Sequence, residues 1–104
     1  MRQLADMLLK AQKLKSGVDE ARARVKVQTV EAEAAGGAVR VTVSCDKQII
    51  SINVDHARVA AAGRPVEELI TEASNAALKK AEAVLKAELS KAMDAAGLSL
   101  PGLF

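Results

Sequence analysis

The side chains best suited to bind another molecule are lysines and arginines, and they are concentrated near the start of the chain. Residues 1–26 carry seven cations against three carboxylates, a net charge of +4, whereas residues 27–55 carry −2 and residues 56–104 are balanced. Positive charge at this density favours a polyanionic partner, and a dimer would double the field. The alternative is that these charges only solvate the outer face of an amphipathic helix.

Residues that could serve catalysis or metal binding are few and isolated. The single histidine, His56, stands beside Asp55 without the further ligands that a metal site needs. The single cysteine, Cys45, has no activating base at a readable spacing, and it excludes an internal disulfide. Gly36-Gly37 belongs to no phosphate-binding glycine motif. The sequence therefore predicts a protein that is not an enzyme, with no catalytic residue, metal, cofactor or small-molecule substrate.

The middle of the chain has the pattern of a small antiparallel sheet. Residues 39–45 place an apolar side chain at every second position, and after a polar break at Asp46-Lys47 residues 50–54 do the same. This alternation predicts a hairpin with one apolar face. Residues 27–34 predict a weaker first strand, joined to the hairpin by the glycine-containing turn at 35–38. A hairpin alone is unstable, so its apolar face must be covered by the flanking helices or by a second copy.

A long helix is predicted before this sheet, over residues 1–25. Apolar residues every three or four positions form a seam along it for three heptads, so it should pack lengthwise against another helix. The seam comprises Leu4, Met7, Ala11, Leu14, Val18, Ala21 and Val25. Gly17 interrupts the pattern and favours a bend, and Leu9 falls outside the seam as an exposed apolar contact.

A second long helix is predicted after the sheet, over residues 65–96, and residues 56–63 before it predict a short helical turn or loop. Pro65 and the acidic residues after it suit a helix start. At 1.5 Å per residue this helix would be about 45 Å long. A sheet with strands of about 20 Å cannot cover it, so its C-terminal half must project or pack on a partner.

Composition predicts one domain over residues 1–104, with a short, apolar and flexible tail at 97–104. Half of the residues are apolar, yet alanine dominates and Phe104 is the single aromatic residue, so the monomer core must be thin. Thin cores are commonly completed by oligomerisation, which predicts a homodimer. The absence of a long apolar run or signal pattern predicts a soluble protein that is neither membrane-bound nor exported.

Five segments, in order, resemble the YbaB/EbfC nucleoid-associated proteins of bacteria. They are LLKAQKLK in the first helix, GGAVRVTV at the turn and second strand, INVD at the end of the third strand, VEELITEASNAALKKA in the second helix, and LPGLF in the tail. The sequence departs from the family pattern at Cys45, where a glycine is usual, and at His56, where a proline commonly follows the aspartate. These changes affect local turn conformation and leave the cations in place.

The resemblance implies an α+β fold of helix, three-stranded antiparallel sheet and long helix, dimeric, with helical arms that project like tweezers around DNA. It implies a cytoplasmic, nucleoid-associated protein that binds double-stranded DNA through phosphates with weak sequence preference, affecting nucleoid organisation and gene expression. The expected DNA-binding residues are Lys10, Lys13, Lys15, Arg22, Arg24, Lys79, Lys80, Lys86 and Lys91. The alternative is a dimeric helical scaffold that binds proteins through Leu9, the second-helix arms and the tail.

Overall fold

The computed structural model describes residues 2–97, so the tail predicted at 97–104 lies outside the described residues from position 98 onward. The chain forms a helix, a three-stranded antiparallel sheet in the order β1-β2-β3, a short helix and a long helix. Their bounds are α1 Arg2–Val27, β1 Thr29–Ala34, β2 Val39–Ser44, β3 Ile49–Val54, α2 His56–Ala62 and α3 Val66–Ala95. The predicted α+β class, with helix, sheet and long helix in that order, is confirmed.

The short helix α2 occupies the segment for which the sequence predicted a helical turn or loop. The carboxylate of Asp55 accepts a hydrogen bond from the backbone N–H of Arg58 at 3.1 Å, which caps the first turn. Gly63 ends the helix at a φ of 66°, a left-handed conformation that glycine adopts without steric cost. Asp55, which directly follows β3, therefore has a structural role as the N-terminal cap of α2.

The hydrophobic core lies between one face of the sheet and the first half of α3. The alternating valines of β2, Val39, Val41 and Val43, are completely buried. On α3, Leu69 is followed at four-residue steps by Ala73, Ala77 and Ala81, all completely buried. Because these alanines are small, the helix lies close to the sheet and the core is thin, as the composition predicts.

Strand β3 lies largely outside this core. Ile52 pairs with the buried Val41, yet it is 44% exposed, and Ile49 and Ile50 are 50% and 56% exposed. The reason is that α3 packs mainly on β1 and β2, which leaves the edge strand without a covering helix. In a single chain the apolar face predicted for residues 50–54 is thus only partly covered.

Helix α1 packs antiparallel to the C-terminal half of α3. Gly17 lies against Ala92, and Arg24 Nε donates to Glu88 Oε2 at 3.1 Å. The C-terminal half of α3 is therefore covered by a helix of its own chain, which is neither of the two outcomes predicted from its length, because α1 extends past the sheet and lies alongside it. The seam of α1 is buried at Ala21 and Val25. Toward the N-terminus the seam is half-buried at Leu14 and Val18 and exposed at Leu4, Met7 and Ala11, and the molecule is elongated, with extents of 69 × 24 × 15 Å.

The closeness of the two helices accounts for Gly17, which lies within the unbroken helix α1. A Cβ atom there would lie 3.3 Å from the Cβ of Ala92, a distance that leaves no room for a larger side chain. We expect Gly17→Val to lower the free energy of unfolding by about 1–3 kcal/mol, because the helices must separate. Urea denaturation measures this, with Ser16→Val on the exposed face as the control. Equal costs for the two variants would refute the role of the close approach.

Candidate functional site

Helix α1 carries three exposed lysines near its N-terminus, of which Lys10 and Lys13 lie on one face and Lys15 on another. Lys10, Lys13 and Lys15 are all exposed, and none has an ion pair among the described residues. Lys10 and Lys13 line a surface depression of about 340 Å³ together with Asp6, Leu9 and the end of α3. Their ammonium groups are available to an anion without breaking an existing contact.

Other cations predicted to bind DNA are engaged within the chain. Arg24 and Lys91 both pair with Glu88, at 3.1 and 3.6 Å, and Lys86 pairs with Glu82 at 3.4 Å. Lys80 Nζ donates to a backbone carbonyl of β1 at 2.9 Å. The Lys86–Glu82 pair is exposed on both sides and contributes at most about 1 kcal/mol, so a phosphate could displace it at modest cost. Glu88, the partner of Arg24 and Lys91, is only 13% exposed, so its ion pairs are less screened by water and salt.

Arg22 and Lys79 complete the predicted set, and both are exposed. In the described part of the chain neither makes a salt bridge. The nine predicted residues therefore fall into a group of five without ion pairs and a group of four with internal partners.

The structure brings together a cationic cluster that the sequence analysis missed. Arg22, Lys26 and Lys47 line one concavity of about 380 Å³ where α1, α3 and the β2–β3 turn meet. We call this the junction concavity; its other lining residues are Val25, Leu85, Leu89 and Asp46. The spacing of Arg22 and Lys26, one helical turn apart, could have indicated a shared face. No local signal places Lys47 beside them, because it lies in a distant turn.

Cys45 has a structural role at this junction. Its side chain is completely buried, and its backbone N–H donates to the carbonyls of Val25 and Gln28 at 3.1 and 2.9 Å. Burial, with a smaller contribution from the charge of Asp46, raises the pKa of the thiol above its ordinary value. A buried, protonated thiol is a poor nucleophile. Cys45 therefore ties the end of β2 to the end of α1.

The described residues contain no group of three histidine, cysteine, aspartate or glutamate side chains placed to hold a metal ion. None of the helices within residues 2–97 is both long enough and apolar enough to cross a membrane.

Proteins that are similar to this chain over nearly its whole length include nucleoid-associated proteins of two bacteria. A nucleoid-associated protein of Alkaliphilus metalliredigens is 33% identical over 95% of this chain and 86% of its own length. A nucleoid-associated protein of Bordetella avium is 35% identical over 95% of this chain and 90% of its own. The fold is also similar to the crystal structure of an uncharacterized Helicobacter pylori protein, with a TM-score of 0.65 at 17% identity, covering 84% of this chain and 89% of that one.

The model of the YbaB/EbfC DNA-binding family matches residues 1–96. This is a family of DNA-binding proteins and not of enzymes, which confirms the non-enzymatic class predicted from the sequence. It is also the family that the five segments resemble. The match spans both long helices and the sheet, and the chain belongs to the YbaB/EbfC DNA-binding family.

Proposed function

We propose that this protein binds double-stranded DNA as a homodimer, mainly through the phosphate backbone and with weak sequence preference. The observation that carries the proposal is that Lys10, Lys13 and Lys15 of α1 are exposed and have no ion pair among residues 2–97. Family membership supports DNA as the polyanion.

The chemistry of the side chains suits backbone contact better than base reading. Lysine ammonium groups act as point charges that neutralise phosphates, and binding is favoured because counterions are released from the DNA. The sequence has no tyrosine or tryptophan on which a base could stack. Helix α1 has 26 residues and is about 39 Å long, enough to follow roughly one turn of duplex.

The exposed isoleucines of β3 support the homodimer. Ile52 and Ile49 pair with the buried Val41 and Val43 and so continue the apolar layer of the sheet beyond the reach of α3, and both are about half exposed. A second copy placed on this edge would remove them from water and enlarge a core that is thin in one chain. The helix pairs of the two copies would then serve as the two arms that grip the duplex.

In the cell we propose that the protein acts in the cytoplasm on the nucleoid, where it affects DNA organisation and gene expression. The names of its relatives, which are nucleoid-associated proteins, support this location. Binding that depends on phosphates rather than on bases suits a protein that covers many sites of unrelated sequence.

Salt dependence provides the direct test of phosphate binding. At about 50 mM salt we expect the protein to bind unrelated duplexes of equal length with similar affinity. By about 200 mM salt the affinity should fall about 10³-fold or more, because each phosphate contact releases counterions. Fluorescence anisotropy with labelled duplexes measures both quantities. Binding that ignores salt over this range would contradict the proposal.

A protein-interaction scaffold remains the second candidate, and one observation favours it. Leu4, Met7, Leu8 and Leu9 near the start of α1 are 57–67% exposed, a larger apolar surface than a helix in water usually presents. The outcome that favours the scaffold is a folded protein that fails to retain duplex DNA even at low salt.

A further inference from the structure

We propose that the junction concavity is a second phosphate-binding point on each chain, in which Arg22, Lys26 and Lys47 hold the DNA backbone apart from the lysines at positions 10–15. The inference rests on the proposed DNA-binding function and adds a site near the body of the molecule. It would make the duplex run along the helix pair toward the sheet rather than contact only the start of α1.

The lining of the concavity suits a sugar–phosphate backbone. Its floor is apolar, formed by the buried Val25 and the half-buried Leu85 and Leu89, and its rim carries the three cations. Deoxyribose presents a largely apolar face, which can lie on the leucines while the flanking phosphates meet the rim. The arginine adds a planar fork of donors that fits phosphate oxygens.

One carboxylate, that of Asp46, also lines the concavity and would oppose an anion. The hydroxyl of Ser44 donates to it, so this carboxylate already has a partner within the turn. Three cations against one engaged carboxylate leave the concavity net positive.

The turn that carries Lys47 is held firmly against α1. Cys45 N–H donates to the carbonyl of Val25 in α1 and to that of Gln28 just after it, and the turn closes through Lys47 N–H, which donates to the Ser44 carbonyl at 3.0 Å. Ser44 N–H in turn donates to the Gln48 carbonyl at 2.8 Å. Because these bonds fix the backbone, the position of Lys47 beside Arg22 and Lys26 is set before any ligand arrives.

Lys47 occupies a backbone conformation that a lysine rarely adopts. Its φ is +70°, in the left-handed region where a Cβ meets the backbone and glycine has the advantage. Cys45 stands where the family pattern usually has a glycine, yet the residue of this turn that has a positive φ is Lys47. A lysine in this conformation lowers the stability of the fold. Its presence is explained if its positive charge is needed to bind a ligand, since strained residues concentrate at functional sites.

Because Lys47 is expected to lower stability and to strengthen DNA binding, replacing it should change the two quantities in opposite directions. We expect Lys47→Gly to raise the Tm by a few degrees, because the positive φ no longer costs energy, and to weaken duplex binding several-fold at 100 mM salt. The slope of log affinity against log salt should flatten by about 0.9 per chain, and by nearly three in a variant with Arg22, Lys26 and Lys47 all changed to glutamine. Arg64→Gln is the control, because it removes one positive charge outside the expected DNA-binding set, from an arginine already paired with Glu68 and Glu72.

Calorimetry and anisotropy titration on the full chain distinguish the outcomes. A flattening of the salt slope in Lys47→Gly that exceeds the change in Arg64→Gln supports the second phosphate-binding point. An unchanged slope in Lys47→Gly, while wild type binds DNA with steep salt dependence, overturns the junction concavity and leaves the proposed function standing. Salt-independent binding by wild type overturns both.

Discussion

Replacing Lys10, Lys13 and Lys15 together by alanine is expected to weaken binding to every duplex by about 10²–10³-fold near 0.1 M salt. The physical reason is that three phosphate contacts per chain are lost along with the counterions that they release. The slope of log affinity against log salt should flatten by about three units per chain. Because all three side chains are exposed and the apolar seam is untouched, the fold should survive.

The control for this experiment removes the same number of charges from another helix. In the variant with Lys80, Lys86 and Lys91 changed to alanine, each lysine lost has a partner within its own chain. We expect a smaller loss of affinity and a smaller change in slope, because phosphate binding there must first displace those partners. Equal effects in the two triple variants would mean that α1 has no special part in binding.

A charge on the apolar edge of the sheet is expected to separate the dimer. In Ile52→Asp a carboxylate replaces a side chain that the second copy would bury, and burying an unpaired charge costs several kcal/mol. In the single chain Ile52 is 44% exposed, so the new carboxylate stays hydrated and each chain should remain folded. Sedimentation at micromolar concentration should then report a species near 10.9 kDa, with twice that mass for wild type.

The neighbouring Ser51 provides the control, because adjacent strand residues point to opposite faces of a sheet. Ser51 pairs with Thr42, in the polar row between the buried valines of β2. Ser51→Asp should therefore leave the dimer intact. A wild-type protein that sediments as a folded monomer, or a Ser51→Asp variant that dissociates as readily, would show that the dimer does not use this face.

The sequence was sufficient to predict the elements because their signals are local. The heptad seam of α1, the valine alternation of β2 and the proline and acidic start of α3 each depend on residues a few positions apart, and periodicity reports them directly. The same locality made the excess of cations on the first helix visible. His56 and Cys45 were excluded as catalytic or metal-binding residues on the same local basis, because such sites require partner residues that the neighbouring sequence does not supply.

What the sequence by itself determined was the order of the elements, the α+β class, the family and the excess of positive charge on α1. The tertiary structure alone decided that Arg24 is paired, because Glu88 meets it from a position 64 residues away along the chain. It also placed Lys47 beside Arg22 and Lys26, and left the isoleucines of β3 beyond the reach of α3. These features depend on contacts between distant segments, whose geometry follows from how helices and sheet pack rather than from any periodic pattern.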